Sequence, residues 1–144
     1  MSVPARISFV TLGVEDLETS AGFYEALGWQ RSSTSTDEVA FFQTPQAVLS
    51  LYPVPLLAAE IGVEPEDLPR FRAVTLAINV EDEADVLTIL DEALAAGGTI
   101  PRPGFRAVWG GFTGYFADPD GHLWEVAWNP AWPIDADGRV RFGH

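Results

Sequence analysis

Glu125 is the acidic side chain whose neighbours give it a chemical role. It closes the run Asp118-Pro119-Asp120-Gly121-His122-Leu123-Trp124 inside GYFADPDGHLWEVAWNP, residues 114–130. A weaker copy, FFQTPQAVLSLY, occupies residues 41–52. Each copy is an apolar pair, a proline turn and an alternating strand. With one residue inserted at Gly121, Pro45 aligns with Pro119, Leu51 with Val126 and Ser50 with Glu125. The carboxylate is present in one copy only. A strand-borne acid facing a cavity can anchor a ligand or act as a general base, its pKa raised by apolar neighbours. The plainer reading is a carboxylate at a wet edge, hydrogen-bonded to Thr75 or Tyr52. Both readings stay open at this stage. His122 stands three residues before Glu125, and alternation puts it on the opposite face. It reads as a turn or surface histidine. His144 is the last residue and is expected to be frayed.

The elements that would position Glu125 follow from periodicity. Residues 7–14 alternate, with Val10, Leu12 and Val14 on one face and Phe9, Thr11 and Gly13 on the other, which predicts a strand. Asp16 can cap a helix carrying Leu17, Ala21, Tyr24 and Leu27 on one face, ended by Gly28. Strands are expected at 39–43 and 48–52, with a weaker one at 29–33. A proline-rich stretch, 53–70, then reads as a surface crossover holding a short helix at 56–61. The plan repeats. Residues 71–80 alternate, with Val74, Leu76, Ile78 and Val80 opposed to Thr75, Ala77 and Asn79. Asp82 can cap a helix striped by Val86, Leu90, Ala93 and Leu94 and closed by Gly97-Gly98. Strands are expected near 99–101, 106–109, 114–117 and 123–128, the last two joined by the turn Asp118–Gly121. A turn at 135–138 and a short strand at 139–142 close the chain.

Composition bounds the function. The chain has 144 residues, 47% hydrophobic and 20% charged, which fits one folded domain. The divisions expected are module one at 6–52, a connector at 53–70, module two at 71–130 and an extension at 131–144. The net charge of −13 argues against a nucleic-acid partner, which needs cations to neutralise phosphate. It gives a mild preference for cationic ligands. No run approaches the roughly 18 apolar residues of a membrane span, so no membrane partner is expected. The first residues lack a signal-peptide pattern, and with no cysteine the expected location is cytoplasmic. Disulfides and thiolate chemistry are excluded outright. No phosphate-binding glycine loop or compelling Ser/His/Asp order occurs.

TLGVEDLETSAGFYEALGW (residues 11–29) together with GYFADPDGHLWEVAWNP resembles the vicinal oxygen chelate superfamily, which includes glyoxalase I, bleomycin-resistance proteins and extradiol dioxygenases. The opening signature is a strand ending in V-x-D-L and a helix ending in F-Y-x-x-L-G; the closing one is D-P-D-G-H-x-x-E. The resemblance covers residues 6–130 and extends to a bacterial subgroup described only as glyoxalase-like. It implies an α+β fold of two βαβββ modules forming a cupped mixed sheet, as a homodimer. Metal-dependent members hold one divalent ion with His, Gln or Glu side chains from the first and last strand of each module. Carried over, those positions are Phe9, Ser50, Thr75 and Glu125. A phenyl ring and two hydroxyls are poor ligands for Zn, Ni, Mn or Fe(II), and shifting to Thr11, Ala77 or Asn79 gains nothing. The expectation is no metal and no cofactor.

The aromatic content then becomes the main clue. Five Trp and nine Phe are present. Trp124 shares parity with Val126 and should face the helix, leaving Leu123, Glu125 and Ala127 toward a cleft. Phe9, Phe41 or Phe42, Tyr52, Trp109 and Tyr115 are candidate cleft walls. The candidate ligand set is Phe9, Thr11, Phe42, Ser50, Tyr52, Thr75, Asn79, Trp109, Tyr115 and Glu125, with Glu125 the candidate catalytic group. Trp109-Gly110-Gly111-Phe112 reads as a flexible loop. Trp128, Asn129, Pro130 and Trp132 would cover a sheet edge or meet another subunit. The function expected is metal-free binding of a small aromatic or cationic molecule. The alternatives are a superfamily lyase, isomerase or dioxygenase using Glu125, and an interaction module with a filled core.

Overall fold

Two stretches of alternating strand, each returning through a helix to pair in parallel, give the chain its plan. A computed structural model of the chain describes residues 3–142, so His144 lies outside the described residues. The chain divides into two compact units, Met1–Glu66 and Asp67–His144. In the first, β1 (Phe9–Val14), α1 (Leu17–Ala26), β2 (Ala40–Phe42), β3 (Val48–Pro53) and α2 (Val54–Ile61) follow in order. In the second come β4 (Leu76–Asn79), α3 (Glu83–Ala95), β5 (Thr99–Arg106), β6 (Phe112–Ala117) and β7 (Leu123–Trp128). Each unit is a βαβββ-like module built on a mixed sheet, ordered β1-β3-β2 and β4-β7-β6-β5. No helix among the described residues is long and apolar enough to cross a membrane.

In unit one the Asp16 carboxylate accepts from Thr19 N at 2.8 Å and caps α1. That bond is also the main reason its pKa lies below the ordinary carboxylate value. Arg31 ties the far end of the helix back, meeting Glu18 at 3.1 Å and Glu25 at 2.8 Å. Leu12, Val14, Leu49 and Leu51 are buried on the helical side of the sheet, with Leu17, Ala21, Phe23 and Tyr24 of α1. The strand expected at 29–33 reduces to a single bridge, Arg31 to Phe42. β1 starts at Phe9 rather than residue 7, because its partner β3 starts at Val48 opposite it.

In unit two Val86, Leu90 and Ala93 of α3 are buried, as are Phe116, Trp124 and Val126 of the sheet. Phe116 and Trp124 stack with centroids 5.9 Å apart. A Cβ at Gly114 would stand 2.6 Å from a Leu90 methyl, so only glycine lets the helix lie this close. β4 is shorter than the alternation of 71–80 implies. Ala73 takes φ 58°, which breaks the extended chain, and Arg72 is drawn aside to the Pro69 carbonyl at 3.0 Å. The two short strands expected at 99–101 and 106–109 are one strand, β5, with irregular register on either side of Arg102. Residues 107–110 form a turn, closed by Gly110 N to Ala107 O at 3.0 Å. The strand expected at 139–142 is a single bridge, Ile134 to Val140. There Asp135 accepts backbone N–H bonds from Asp137 and Arg139, both at 2.9 Å, which curls the segment into a loop.

Phe42 corrects an expectation. It is fully buried at 0% exposure and meets Tyr24 of α1 with ring centroids 5.9 Å apart. It belongs to the core and not to a binding wall; its neighbour Phe41 takes the other face. The register explains why. Phe42 pairs with Leu49 and Phe116 pairs with Trp124, so the two phenylalanines are equivalents in the repeat. Phe42→Ala and Phe116→Ala are each expected to cost about 3–5 kcal/mol in urea unfolding. Phe41→Ala should cost much less; an equal loss at Phe41 would contradict this assignment of faces.

Candidate functional site

The repeat places one equivalent row of residues across each sheet. In unit one the row is Thr11, Ser50 and Phe41. In unit two it is Ala77, Glu125 and Tyr115, continued onto β5 by Arg102. All of these lie on the sheet face away from the helices. The parity follows from strand geometry, since residues directly opposite on neighbouring strands share a face.

Glu125 sits on β7, which is paired on both sides and therefore cannot slide. The turn before it fixes the register with β6. Asp118 is buried, and its Oδ1 accepts from Asp120 N and His122 N, both at 2.9 Å. Gly121 supplies the φ of +83° that the turn requires. His122 belongs to this turn: the Arg72 guanidinium lies 3.0 Å from its Nδ1 and 2.9 Å from the Asp120 carbonyl.

Within unit two the hydrogen bond to Glu125 comes from β6 rather than from Thr75. Thr113, buried on β6, places its hydroxyl 2.8 Å from Glu125 Oε2 and 3.0 Å from the Val126 carbonyl oxygen. A hydroxyl has one proton to donate, so it serves one acceptor at a time. A charged carboxylate forms the stronger bond and takes it. Tyr115 stands directly across from Glu125 on β6. Its phenol pKa is raised, first by burial and then by the charge and hydrogen-bonding influence of Glu125, with Arg102 opposing.

The other candidates fall into separate groups. Phe9, Thr11, Ser50 and Tyr52 share the open face of unit one. Phe9 is 55% exposed and meets Phe41 edge-on at 6.1 Å, while Ser50 is buried. Asn79 lies on the open face of unit two, in the row through Ala127 and Thr113. Thr75 is exposed and precedes the first residue of β4. Trp109, 46% exposed, is carried on the turn after β5 and lies outside the rows. Thr113 and Arg102 were not singled out from the sequence. Thr113 was legible, since it shares parity with Tyr115 in a hairpin whose turn was recognised. Arg102 was not, because register shifts break the alternation of β5. Among the described residues no three or more His, Cys, Asp or Glu side chains come together as a metal site would require.

Residues 6–126 match the glyoxalase/bleomycin resistance protein/dioxygenase superfamily. No curated protein matches the chain. Among solved structures, a glyoxalase-related enzyme from Fulvimarina pelagi is 40% identical, with a TM-score of 0.87 over 98% of this chain and 100% of that one. A glyoxalase/bleomycin resistance protein/dioxygenase from Nocardioides is 25% identical, with a TM-score of 0.75 over 99% of this chain and 93% of that one. A lactoylglutathione lyase from Agrobacterium tumefaciens, 21% identical with a TM-score of 0.66 over 92% and 100%, shares the fold.

Tyr115 offers a direct readout of the cluster. The folded state keeps the phenol proton at a pH where the unfolded chain has lost it. Stability is therefore full below the ordinary tyrosine value and falls as pH rises from there through the raised one. Ring-labelled NMR should show Tyr115 titrating above the ordinary range. Glu125→Gln should lower that pKa, leaving the effect of burial opposed by Arg102. An unchanged titration would mean the two groups are not coupled.

Proposed function

The chain belongs to the glyoxalase/bleomycin resistance protein/dioxygenase superfamily, and from that membership we propose that it binds a small aromatic or cationic organic molecule on the open sheet face around Glu125, without a divalent ion at the family's ligand positions. The observation carrying this reading is the residue set itself. At those positions unit one offers the Phe9 ring and the Ser50 hydroxyl, and unit two the Thr75 hydroxyl and the Glu125 carboxylate, residue types of which only the carboxylate suits Zn, Ni, Mn or Fe(II). Glu125 instead has its geometry set by Thr113 at 2.8 Å, which orients one oxygen and leaves the carboxylate half-buried on the sheet. Such a group presents a fixed negative charge, and the Tyr115 ring beside it adds an aromatic surface for stacking or a cation–π contact.

A second reading is favoured by one observation. Glu125, Thr113 and the Val126 carbonyl form a chain in which the hydroxyl proton can be turned from one acceptor to the other. If Glu125 takes a proton from a bound molecule, it becomes a donor to Thr113 Oγ1, which then donates to Val126 O. That is general-base behaviour, and it suits a lyase or isomerase. The relative from Fulvimarina pelagi is described as a glyoxalase-related enzyme.

Elemental analysis of protein purified without chelator is expected to find no stoichiometric divalent ion; finding one overturns the metal-free reading. Calorimetric titration with benzylamine should detect binding that weakens about tenfold or more in Glu125→Gln, since a hydrogen bond to a charged group contributes about 1.5–3 kcal/mol. Turnover of a hemithioacetal or a catechol, abolished in Glu125→Gln, would instead establish the enzyme.

A further inference from the structure

Arg102 closes the row that Glu125 opens, and its surroundings are unlike those of the chain's other paired arginines. We infer that Arg102 is a second recognition residue of this face, and that the ligand is an aromatic zwitterion, with a carboxylate at Arg102 and a cationic group at Glu125. The inference rests on the binding reading given above.

Four observations carry it. First, the register aligns Arg102 with Tyr115 and Tyr115 with Glu125, on three neighbouring strands. Second, strict alternation would turn Arg102 and Phe105 to opposite faces, but a register shift lies between them. As a result Phe105 pairs with Thr113 and Arg102 with Tyr115, and both join the same face. A bulge of this kind re-aims a side chain. Third, the Arg102 guanidinium lies over the Phe105 ring, 3.8 Å from its centroid. Stacking holds the plane of the guanidinium and leaves its N–H edge open to a planar bidentate acceptor such as a carboxylate.

The fourth observation is the missing partner. All eight cationic side chains are arginine, against 21 acids. Arg31, Arg139 and Arg141 each meet a carboxylate, and Arg106, on the same strand as Arg102, pairs with Glu83. Arg72 is held by two carbonyls and His122. Arg102 is exposed and, like Arg6 and Arg70, forms no salt bridge among the described residues; of these three it is the one that lies over a ring. A ring-backed guanidinium that meets no carboxylate keeps its N–H edge available to an anionic ligand group. Two strand spacings, about 10 Å, separate its main chain from that of Glu125. The span suits a single ring carrying opposite charges at its two ends.

Three probes test this: 4-(aminomethyl)benzoate carries both charges, benzylamine the ammonium only, and benzoate the carboxylate only. Calorimetric or NMR titration of the full chain is expected to show 4-(aminomethyl)benzoate binding about tenfold more tightly than benzylamine. Arg102→Gln should remove that advantage and leave benzylamine unchanged. Arg102→Lys, which keeps the charge and loses the flat fork, should retain only part of it. Glu125→Gln should weaken both amines and spare benzoate. If Arg102→Gln leaves the ratio of the two amines unaltered while Glu125→Gln still weakens them, the role of Arg102 is overturned and the binding face stands. If Glu125→Gln changes neither amine, or if no probe binds, the binding reading itself fails and takes this inference with it.

Discussion

The double pairing of β7 is the constraint on which the functional face depends. β4 lies parallel on one side and β6 antiparallel on the other. A one-residue slip would break two ladders at once and carry every side chain of the strand to the wrong face. It would send Glu125 toward α3 and expose Trp124 and Val126, both buried in the core. The carboxylate is therefore located by the packing of its neighbours in sequence, and the same burial that stabilises the unit aims its acid outward.

The repeat makes this visible. Ser50 and Glu125 hold equivalent places, each flanked by an aromatic residue from the next strand, Phe41 or Tyr115. On the buried side the equivalents are alike: Phe42 and Phe116 are both wholly enclosed. On the open side they diverge in charge and hydrogen bonding. Packing density holds the inner face to similar volumes. The other face mixes buried Ser50 and Thr113 with half-buried Glu125 and Tyr115, and there the two copies differ in chemistry.

Much of this was legible in the chain. Asp16, Asp82 and the glycines after each helix marked α1 and α3, although Asp82 holds the N-cap position without a side-chain capping bond, and the turn at Asp118–Gly121 located β6 and β7. The parity of Trp124 and Glu125 was readable because β7 alternates without interruption. Reading failed where the backbone leaves simple alternation. Ala73 ends the extended run early, at a φ that no residue type announced. In β5, Pro101 and Pro103 sit on the outermost strand of the sheet, where a missing N–H does least harm. There the irregular register hid Arg102. Adjacent aromatics pose another problem: of Phe41 and Phe42, one must face each way, and composition alone does not say which. The partner of Glu125 was missed for a different reason, since Thr113 looks like any threonine until the hairpin register brings it across.

β5 answers to one neighbour within its sheet, whereas β7 answers to two. A change of register in β5 can therefore bring a different side chain beside Tyr115 while the acid, the turn and most of the core stay where they are. The fold separates what must be kept from what can vary. Glu125 lies on a strand held on both sides, and Arg102 lies on a strand held on one. An insertion in such an edge strand changes which side chain stands beside Tyr115 and disturbs one ladder, whereas the same insertion in β7 disturbs two.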